Sequence, residues 1–397
     1  MKRDEELHRF HPLAQSPEPR VSRRWVLALG AGAAGSALLA RQEGTAAPST
    51  APVWRAAPAF AQQQGGMLQA AIYTEPPTVA DGMLVSSAIV DNINRHIFES
   101  LFAPDSTFAP QPMLAESYVV SPDGSHYEFT LREGLKFHNG QDVTAADVVA
   151  SLARWTQLSN KGKILGPRLA EDGLQAVDDR TVTVTFQGPT GVFLDFLAMP
   201  NSFIMPAEAA EAAGMEQIPE DQLIGTGPFR FEEHAVDRFT RLVRNEEYQP
   251  RTEPADGLAG ERIVYLDDVQ LMPVPDASVR ASGILTGEYH FAEELEPDQY
   301  DMLESDPGVV ALIRQPGSAM LAHFNKARGP FTDPRVRQAV ALAINKEEAM
   351  ISGFGREEFF RLDPSVAAPE TPWHSSVGEE QFLQYDPEAA KALLAEA

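Results

Sequence analysis

Two hydrophobic periods alternate along this chain. Val182, Val184 and Phe186 are separated by Thr181, Thr183 and Thr185, a period of two that suits a half-buried strand. Val148, Leu152 and Trp155 instead recur at helical spacing behind Thr144-Ala-Ala-Asp147, a capping box whose hydroxyl and carboxylate each satisfy an orphan amide. Neither period runs the whole length and no internal repeat is visible, so the chain reads as an α/β or α+β protein.

The same reading locates further elements. An apolar strand, Met67 to Tyr73, is broken by Glu75-Pro76-Pro77, and Ile89, Ile93, His96 and Ile97 follow at helical spacing. Ser117 to Val120 and His126 to Leu131 flank Ser121-Pro122-Asp123-Gly124, a type I turn signature, with Tyr127, Phe129 and Leu131 on one face. A strand-like piece, Gly134 to Phe137, leads into an Asn139-Gly140 turn. Leu174 to Val177 and Thr181 to Phe186 form a hairpin across Asp178-Asp179, and a helix follows Gly191. Arg251 to Glu261 reads as a surface loop before a strand, Arg262 to Leu266, and Ala319 to Asn325 as another strand. Two helices start on Asp-Pro. Asp333-Pro334 opens one with Val336, Val340 and Ile344 on its buried side; Asp386-Pro387 opens the last, with Ala390, Leu393 and Leu394 as its face.

Composition narrows the function. Asp and Glu number 57 against 32 Lys and Arg, a formal charge of −25, which argues against a nucleic-acid partner. There is no cysteine, which removes disulfides, Cys-ligated zinc, thiol catalysis and a lipobox anchor, and fits an oxidising compartment. The histidines are scattered, with no pair at helical spacing beside a Glu. Neither a Gly-x-Ser-x-Gly elbow nor a phosphate loop closing on Gly-Lys-Ser/Thr occurs. Carboxylate pairs such as Asp267-Asp268 and Glu293-Glu294 read first as solvated faces in so acidic a chain. No residue set for catalysis, a metal or a cofactor stands out.

The first sixty residues read as an address. Arg23-Arg24 precede an uncharged run of 15 residues, Val26 to Ala40, which is the twin-arginine export pattern. The run falls short of the ~20 residues a spanning helix needs. Ala59 and Ala61, before three glutamines, offer an Ala-x-Ala cleavage site, with a site near Ala47 as the earlier alternative. Gly30, Gly32 and Gly35 match the dinucleotide fingerprint, which needs an acidic residue ~20 positions on. Residues 50–58 hold two prolines and no acid, so that match is discarded. Removing residues 1–61 takes away eight basic and five acidic residues and leaves the remainder more acidic still.

Three stretches and the last helix carry a family resemblance. Gly134-Leu-Lys-Phe-His-Asn-Gly140, running on to Thr144-Ala-Ala-Asp-Val-Val149, resembles the signature of the family 5 extracellular solute-binding proteins. Gly225-Thr-Gly-Pro-Phe229 resembles that family's Gly-Thr-Gly-Pro turn, and Phe324-Asn325 with Gly329-Pro-Phe-Thr-Asp-Pro-Arg-Val-Arg337 its third hallmark. Tyr385-Asp-Pro-Glu-Ala-Ala-Lys391 with Leu393-Leu394 is similar to the family too, and the order of motifs is the family's order. The resemblance covers residues 66–397. The family includes dipeptide-, oligopeptide-, glutathione- and nickel-binding receptors of ATP-binding-cassette (ABC) importers.

That resemblance implies an α/β, type II periplasmic-binding-protein fold: two lobes joined by a hinge, with a subdomain inserted in the first. Behind a signal peptide at 1–61, residues 62–105 and 171–268 are expected to build lobe one. Residues 106–170 are expected to form the insertion, and 269–397 lobe two. The implied function is capture of a short peptide or similar small polar solute by hinge closure. A periplasmic monomer would deliver it to an ABC permease, without catalysis, cofactor, metal or nucleic acid. The alternatives are a sensory or chaperone-like module on the same fold, and a receptor for an opine, sugar or metal chelate. Cleft candidates are Tyr73, Thr74 and Glu75 after the first strand, Phe291 and Glu293, the strand end Phe324-Asn325, and Trp373 in a Pro-rich loop. In the Gly-Thr-Gly-Pro turn, Gly225 and Gly227 are expected to permit positive φ while Pro228 fixes the exit. Tyr289 stands where the family carries an acidic residue after Gly-Glu, which puts the local contact there in question. Family members run beyond 397 residues, so lobe two is expected to be incomplete and ligand affinity reduced.

Overall fold

The computed structural model describes residues 64–314 and 319–397. Arg23, Arg24, the glycines at 30, 32 and 35, and the cleavage site near Ala61 lie outside the described residues. Strand β1 (Met67–Ile72) is apolar on both sides: Ala70 and Ile72 join one hydrophobic cluster and Ala71 another, as alternation along a strand requires. Eleven strands occur among the described residues.

After β1 the chain passes through β2 (Phe102–Pro104) and β3 (Pro110–Pro112), which pair as a small antiparallel ribbon. Then come β4 (Ala115–Val120), β5 (His126–Leu131), β6 (Leu169–Ala176) and β7 (Thr181–Phe186). These four form an antiparallel sheet in the order β4-β5-β7-β6, with strands from both sides of residue 170. Tyr127, Phe129, Leu131, Val182, Val184 and Phe186 turn one buried face toward the helix Ala145–Leu158. That helix answers with Val148, Leu152 and Trp155, each at most 1 % exposed. The capping box forms at its start: Asp147 Oδ2 accepts from the Thr144 amide at 2.7 Å. Phe193, on the short helix Phe193–Leu197, closes the layer edge-on to Tyr127 and Phe186, with ring centroids 4.9 Å from each.

The second sheet positions the site. β8 (Phe229–Ala235), β9 (Phe239–Arg244), β10 (Asp268–Pro273) and β11 (Phe291–Ala292) join β1 in the order β11-β1-β10-β9-β8. β1 is parallel to β10, Met67 facing Asp268, and parallel to β11, Ala70 facing Phe291; β9 and β8 continue antiparallel. Burial on both faces is the usual setting of parallel strands. The larger cluster runs through both sheets, and a smaller one gathers Ala71, Ala281, Ile284, Tyr289, Ala292 and Leu303 beside β11.

Several expectations are corrected. Arg262 to Leu266 is not a strand: the Arg244 guanidinium donates to the carbonyls of Tyr265 and Leu266 at 2.8 and 2.9 Å, and the Tyr265 carbonyl also accepts from the Gly65 amide at 2.7 Å, with no ladder continuing from it. Ala319 to Asn325 pairs with no strand; Phe324 stacks instead on Phe331, ring centroids 4.8 Å apart. Gly134 to Phe137 makes one isolated bridge, Lys136 to Asp142, and no strand. The helix Pro334–Ala343 does start on its Asp333 cap, but Ala339 is its buried residue. Val336 and Val340 are half-buried, and Ile344 lies past the end at 43 % exposure. The last helix, Pro387–Glu396, starts on Asp386 as read; it buries Ala390 and leaves Leu394 exposed. The Asp386 amide donates to Leu342 O at 2.9 Å, and Arg335 bonds Glu396 O, so these two capped helices hold each other.

Candidate functional site

Because β1, β10 and β11 are parallel, their carboxyl ends share one edge of the sheet. In open α/β sheets the crevice outside those ends is where ligands bind. Tyr73 to Glu75 follow β1, Val274 and Pro275 follow β10, and Glu293 and Glu294 follow β11.

Arg280 ties two of these ends together. It sits on the helix Ala277–Thr286, whose first turn is capped by Asp276 accepting from the Ser278 and Val279 amides at 2.7 and 3.1 Å. Its guanidinium, in a residue 2 % exposed, donates to Val274 O, Pro275 O, Glu293 O and Glu294 O at 2.6, 2.9, 3.0 and 2.5 Å. The fork geometry of arginine is what lets one side chain satisfy carbonyls from both segments. Glu294 adopts φ 54, a left-handed conformation rare outside glycine.

Three groups at this edge are electrostatically unusual. The Glu293 carboxyl is pushed up to about 7, by burial first and then by Glu294 beside it, and its Oε1 is buried without a hydrogen-bond partner. The Tyr73 hydroxyl is raised by burial and by the charges of Glu293 and Glu294. Glu75 reaches the other way: its Oε1 lies 2.7 Å from His234 Nε2, while His234 Nδ1 lies 3.0 Å from Glu220 Oε1. Burial opposes charge on that ring, but the hydrogen bonds and charges of Glu75 and Glu220 outweigh it and hold His234 above its ordinary pKa.

The residues singled out from sequence therefore divide. Tyr73, Thr74, Glu75, Phe291 and Glu293 lie at or beside one edge; Phe291 is half-buried against the larger cluster, and the Thr74 hydroxyl donates to Glu75 O at 3.4 Å. Phe324 and Asn325 lie elsewhere, the latter exposed with Oδ1 accepting from the Ala327 amide at 3.1 Å. Trp373 is 46 % exposed in its loop. Arg280, His234 and Glu220 were not found from sequence. Glu75 and His234 are 159 positions apart, and no local pattern links them. Among the described residues no group of three or more His, Asp or Glu is arranged to hold a metal ion.

The Gly-Thr-Gly-Pro turn is a clamp of another kind. Neither glycine takes positive φ; they are needed because a Cβ on Gly225 would lie 2.0 Å from Ile97 O, and one on Gly227 2.5 Å from His96 O. The Gly225 amide donates to His138 Nδ1 at 3.2 Å, and His138 Nε2 lies 3.0 Å from Gly227 O. One ring nitrogen accepts and the other donates, which is the neutral imidazole. Burial accordingly pushes the His138 pKa down to about 4.

Comparison with known proteins agrees with this architecture. Residues 109–397 match the model of the bacterial extracellular solute-binding proteins, family 5 middle region. A protein of Sinorhizobium fredii named "Probable peptide ABC transporter periplasmic-binding protein" is 32 % identical, over 81 % of this chain and 61 % of its own length. The glutathione-binding protein of Escherichia coli strain K12 is 29 % identical, over 81 % and 59 %. The chain thus spans about three fifths of these relatives. Among solved structures, the periplasmic binding protein AgaA of A. tumefacien R10, in complex with agropinic acid, superposes with a TM-score of 0.66 at 26 % identity, covering 83 % of this chain and 64 % of that one. The periplasmic binding protein DppA of Helicobacter pylori, in complex with a peptide, gives a TM-score of 0.66 at 24 % identity, covering 84 % and 66 %. The fold is that of a type II periplasmic binding protein, and the relatives are binding proteins of transporters. The chain belongs to the family 5 bacterial extracellular solute-binding proteins.

Proposed function

We propose that this chain captures a short peptide or similar small polar solute at the strand-end edge, for delivery to an ABC permease without chemical change. One observation carries the reading. Parallel strand ends bring Tyr73 and Glu293 together, with Glu75 following in the same loop and a buried Glu293 oxygen that no protein donor satisfies. Such an edge suits recognition of a polar ligand group by a few placed polar atoms in an apolar setting. The large sheet is the floor of one lobe; because it includes β10 and β11, the start of the second lobe moves from the expected residue 269 to beyond β11, and closure between lobes holds the ligand. The Sinorhizobium relative is named as periplasmic, which supports a periplasmic location; export through the twin-arginine route, cleavage near Ala61 and action as a monomer are parts of the same proposal. The naming of the Sinorhizobium relative as a transporter binding protein supports a role without chemical conversion.

The Sinorhizobium relative favours a peptide. The agropinic acid complex of AgaA, at 26 % identity, supports an opine as second reading. Native mass spectrometry of the protein purified from its periplasm tests both. A co-purified short-peptide mass is the expected result, and an opine mass would move the assignment to the second reading. A substrate and product pair whose ratio changes with time would overturn binding without conversion.

A further inference from the structure

Glu75 lies in a stretch with few ties of its own. Pro76 and Pro77 follow it and have no amide hydrogen to donate, and the Thr74 hydroxyl bonds only the neighbouring Glu75 carbonyl. The side-chain tie from Glu75 Oε1 to His234 Nε2, 2.7 Å long, runs to strand β8, and His234 Nδ1 continues it to Glu220 Oε1 at 3.0 Å. Glu220 opens the short 3-10 turn Glu220–Gln222. A carboxylate only accepts, so both contacts are hydrogen bonds only when both ring nitrogens carry hydrogen. Neutral imidazole has one N–H and must abandon one carboxylate. The His234 side chain is 11 % exposed, which limits the water available to replace the lost partner.

We propose that His234, in its doubly protonated form, is a positioning residue that ties the loop after β1 to β8 and so fixes Glu75 at the strand-end edge. The charged groups facing it are Glu75 from the loop after β1 and Glu220 from the 3-10 turn; Thr240, its partner across β9, is uncharged. Those two carboxylates outweigh burial and raise the ring's pKa. The tie is therefore complete below ~6.5, the ordinary histidine value, and is lost as pH rises through the folded-state value above it. The inference rests on the proposed site only for what the loop contacts. The latch itself is tested without ligand, so its failure is distinct from failure of that reading.

The test is hydrogen exchange of the backbone amides of residues 73–85 in the whole protein, read by mass spectrometry between about pH 5.5 and 8.5 and corrected for intrinsic exchange. Glu293, at the neighbouring strand end, titrates at about 7, so the measurement is made in the Glu293→Gln background as well as in the wild type. Protection is expected to fall roughly twofold to tenfold as pH rises, in both backgrounds. The His234→Gln variant should show the lower protection at every pH. Should that variant not fold, Glu220→Gln serves instead: it keeps Glu75 as partner, and should move both the exchange profile and the His234 ring titration, followed by NMR, to lower pH. Protection that does not change with pH overturns the proposal. So does a change that persists unaltered in His234→Gln, or that disappears in Glu293→Gln.

Discussion

His138 and His234 each bridge two segments of the large-sheet region, and their partners favour opposite protonation states. At the Gly-Thr-Gly-Pro turn the ring meets one donor, the Gly225 amide, and one acceptor, the Gly227 carbonyl. At the loop after β1 the ring meets two acceptors, the carboxylates of Glu75 and Glu220. The same side chain is held neutral in the first place, with its pKa pushed down to about 4, and biased toward the charge in the second. Burial lowers both; the partners decide the outcome. A backbone partner set is fixed geometry, whereas a tie to two carboxylates is loosened when the ring loses a proton. The turn is thus built to be permanent and the loop to be adjustable.

The largest expected effect breaks the permanent side. Gly227→Ala places a Cβ 2.5 Å from His96 O and 2.7 Å from Ile97 O, backbone atoms that cannot swing aside. The Gly227 amide also donates to Ile97 O at 2.8 Å, so any shift breaks that bond too. We expect a loss of about 3 kcal/mol or more in urea unfolding, at the severe end for a single substitution. A loss below about 1 kcal/mol would mean the turn is plastic and the contrast overdrawn.

The next effect separates the two rings by sign. His138→Ala strips partners from the Gly225 amide and the Gly227 carbonyl, and should cost about 1–3 kcal/mol at pH 7. Its folded pKa of about 4 lies below the ~6.5 of the unfolded chain. A depressed value means the stabilisation is fully present above ~6.5 and is lost as pH falls toward 4. The difference in unfolding free energy between wild type and His138→Ala should therefore shrink on acidification. A difference that is constant between pH 7 and pH 4 would show that the ring does not titrate as its partners require.

How much of this was readable beforehand follows from range along the chain. The hairpin ending in Phe186, the capping box at Thr144 and the Asp-Pro starts at Asp333 and Asp386 were legible because each is written within a few residues. Arg262 to Leu266 misled because its strand-like composition is real, while the competing donor, Arg244, lies on another strand. Tyr73, Glu75 and Glu293 were picked out as residues, but their placement at one end of the sheet depends on β1 pairing with β10 and β11, which no local pattern encodes. His234 and Arg280 were invisible for the same reason. Each matters through backbone or carboxylate atoms supplied by distant segments. The glycines of the turn were read for the wrong property: φ freedom is a local trait, but what demands glycine there is the approach of the His96 and Ile97 carbonyls.

The smallest expected effect sharpens the adjustable side. His234→Gln removes one ring held between two carboxylates whose side chains are 25 % and 48 % exposed, so water and salt screen much of the interaction. Its contribution to global stability should be no more than about 1 kcal/mol at pH 6. A raised folded-state value gives a stabilisation that is present below ~6.5 and lost as pH rises, the reverse of His138. Wild type and His234→Gln should therefore converge in urea midpoint as pH rises toward about 8.5 and separate again at about pH 6. Added salt should narrow the gap at pH 6 while leaving the His138→Ala deficit at pH 7 nearly unchanged, because a bond between a neutral ring and backbone atoms has no net charges to screen. If the gap instead widened toward alkaline pH, the neutral ring would be the stabilising form, and the two histidines would be clamps of one kind.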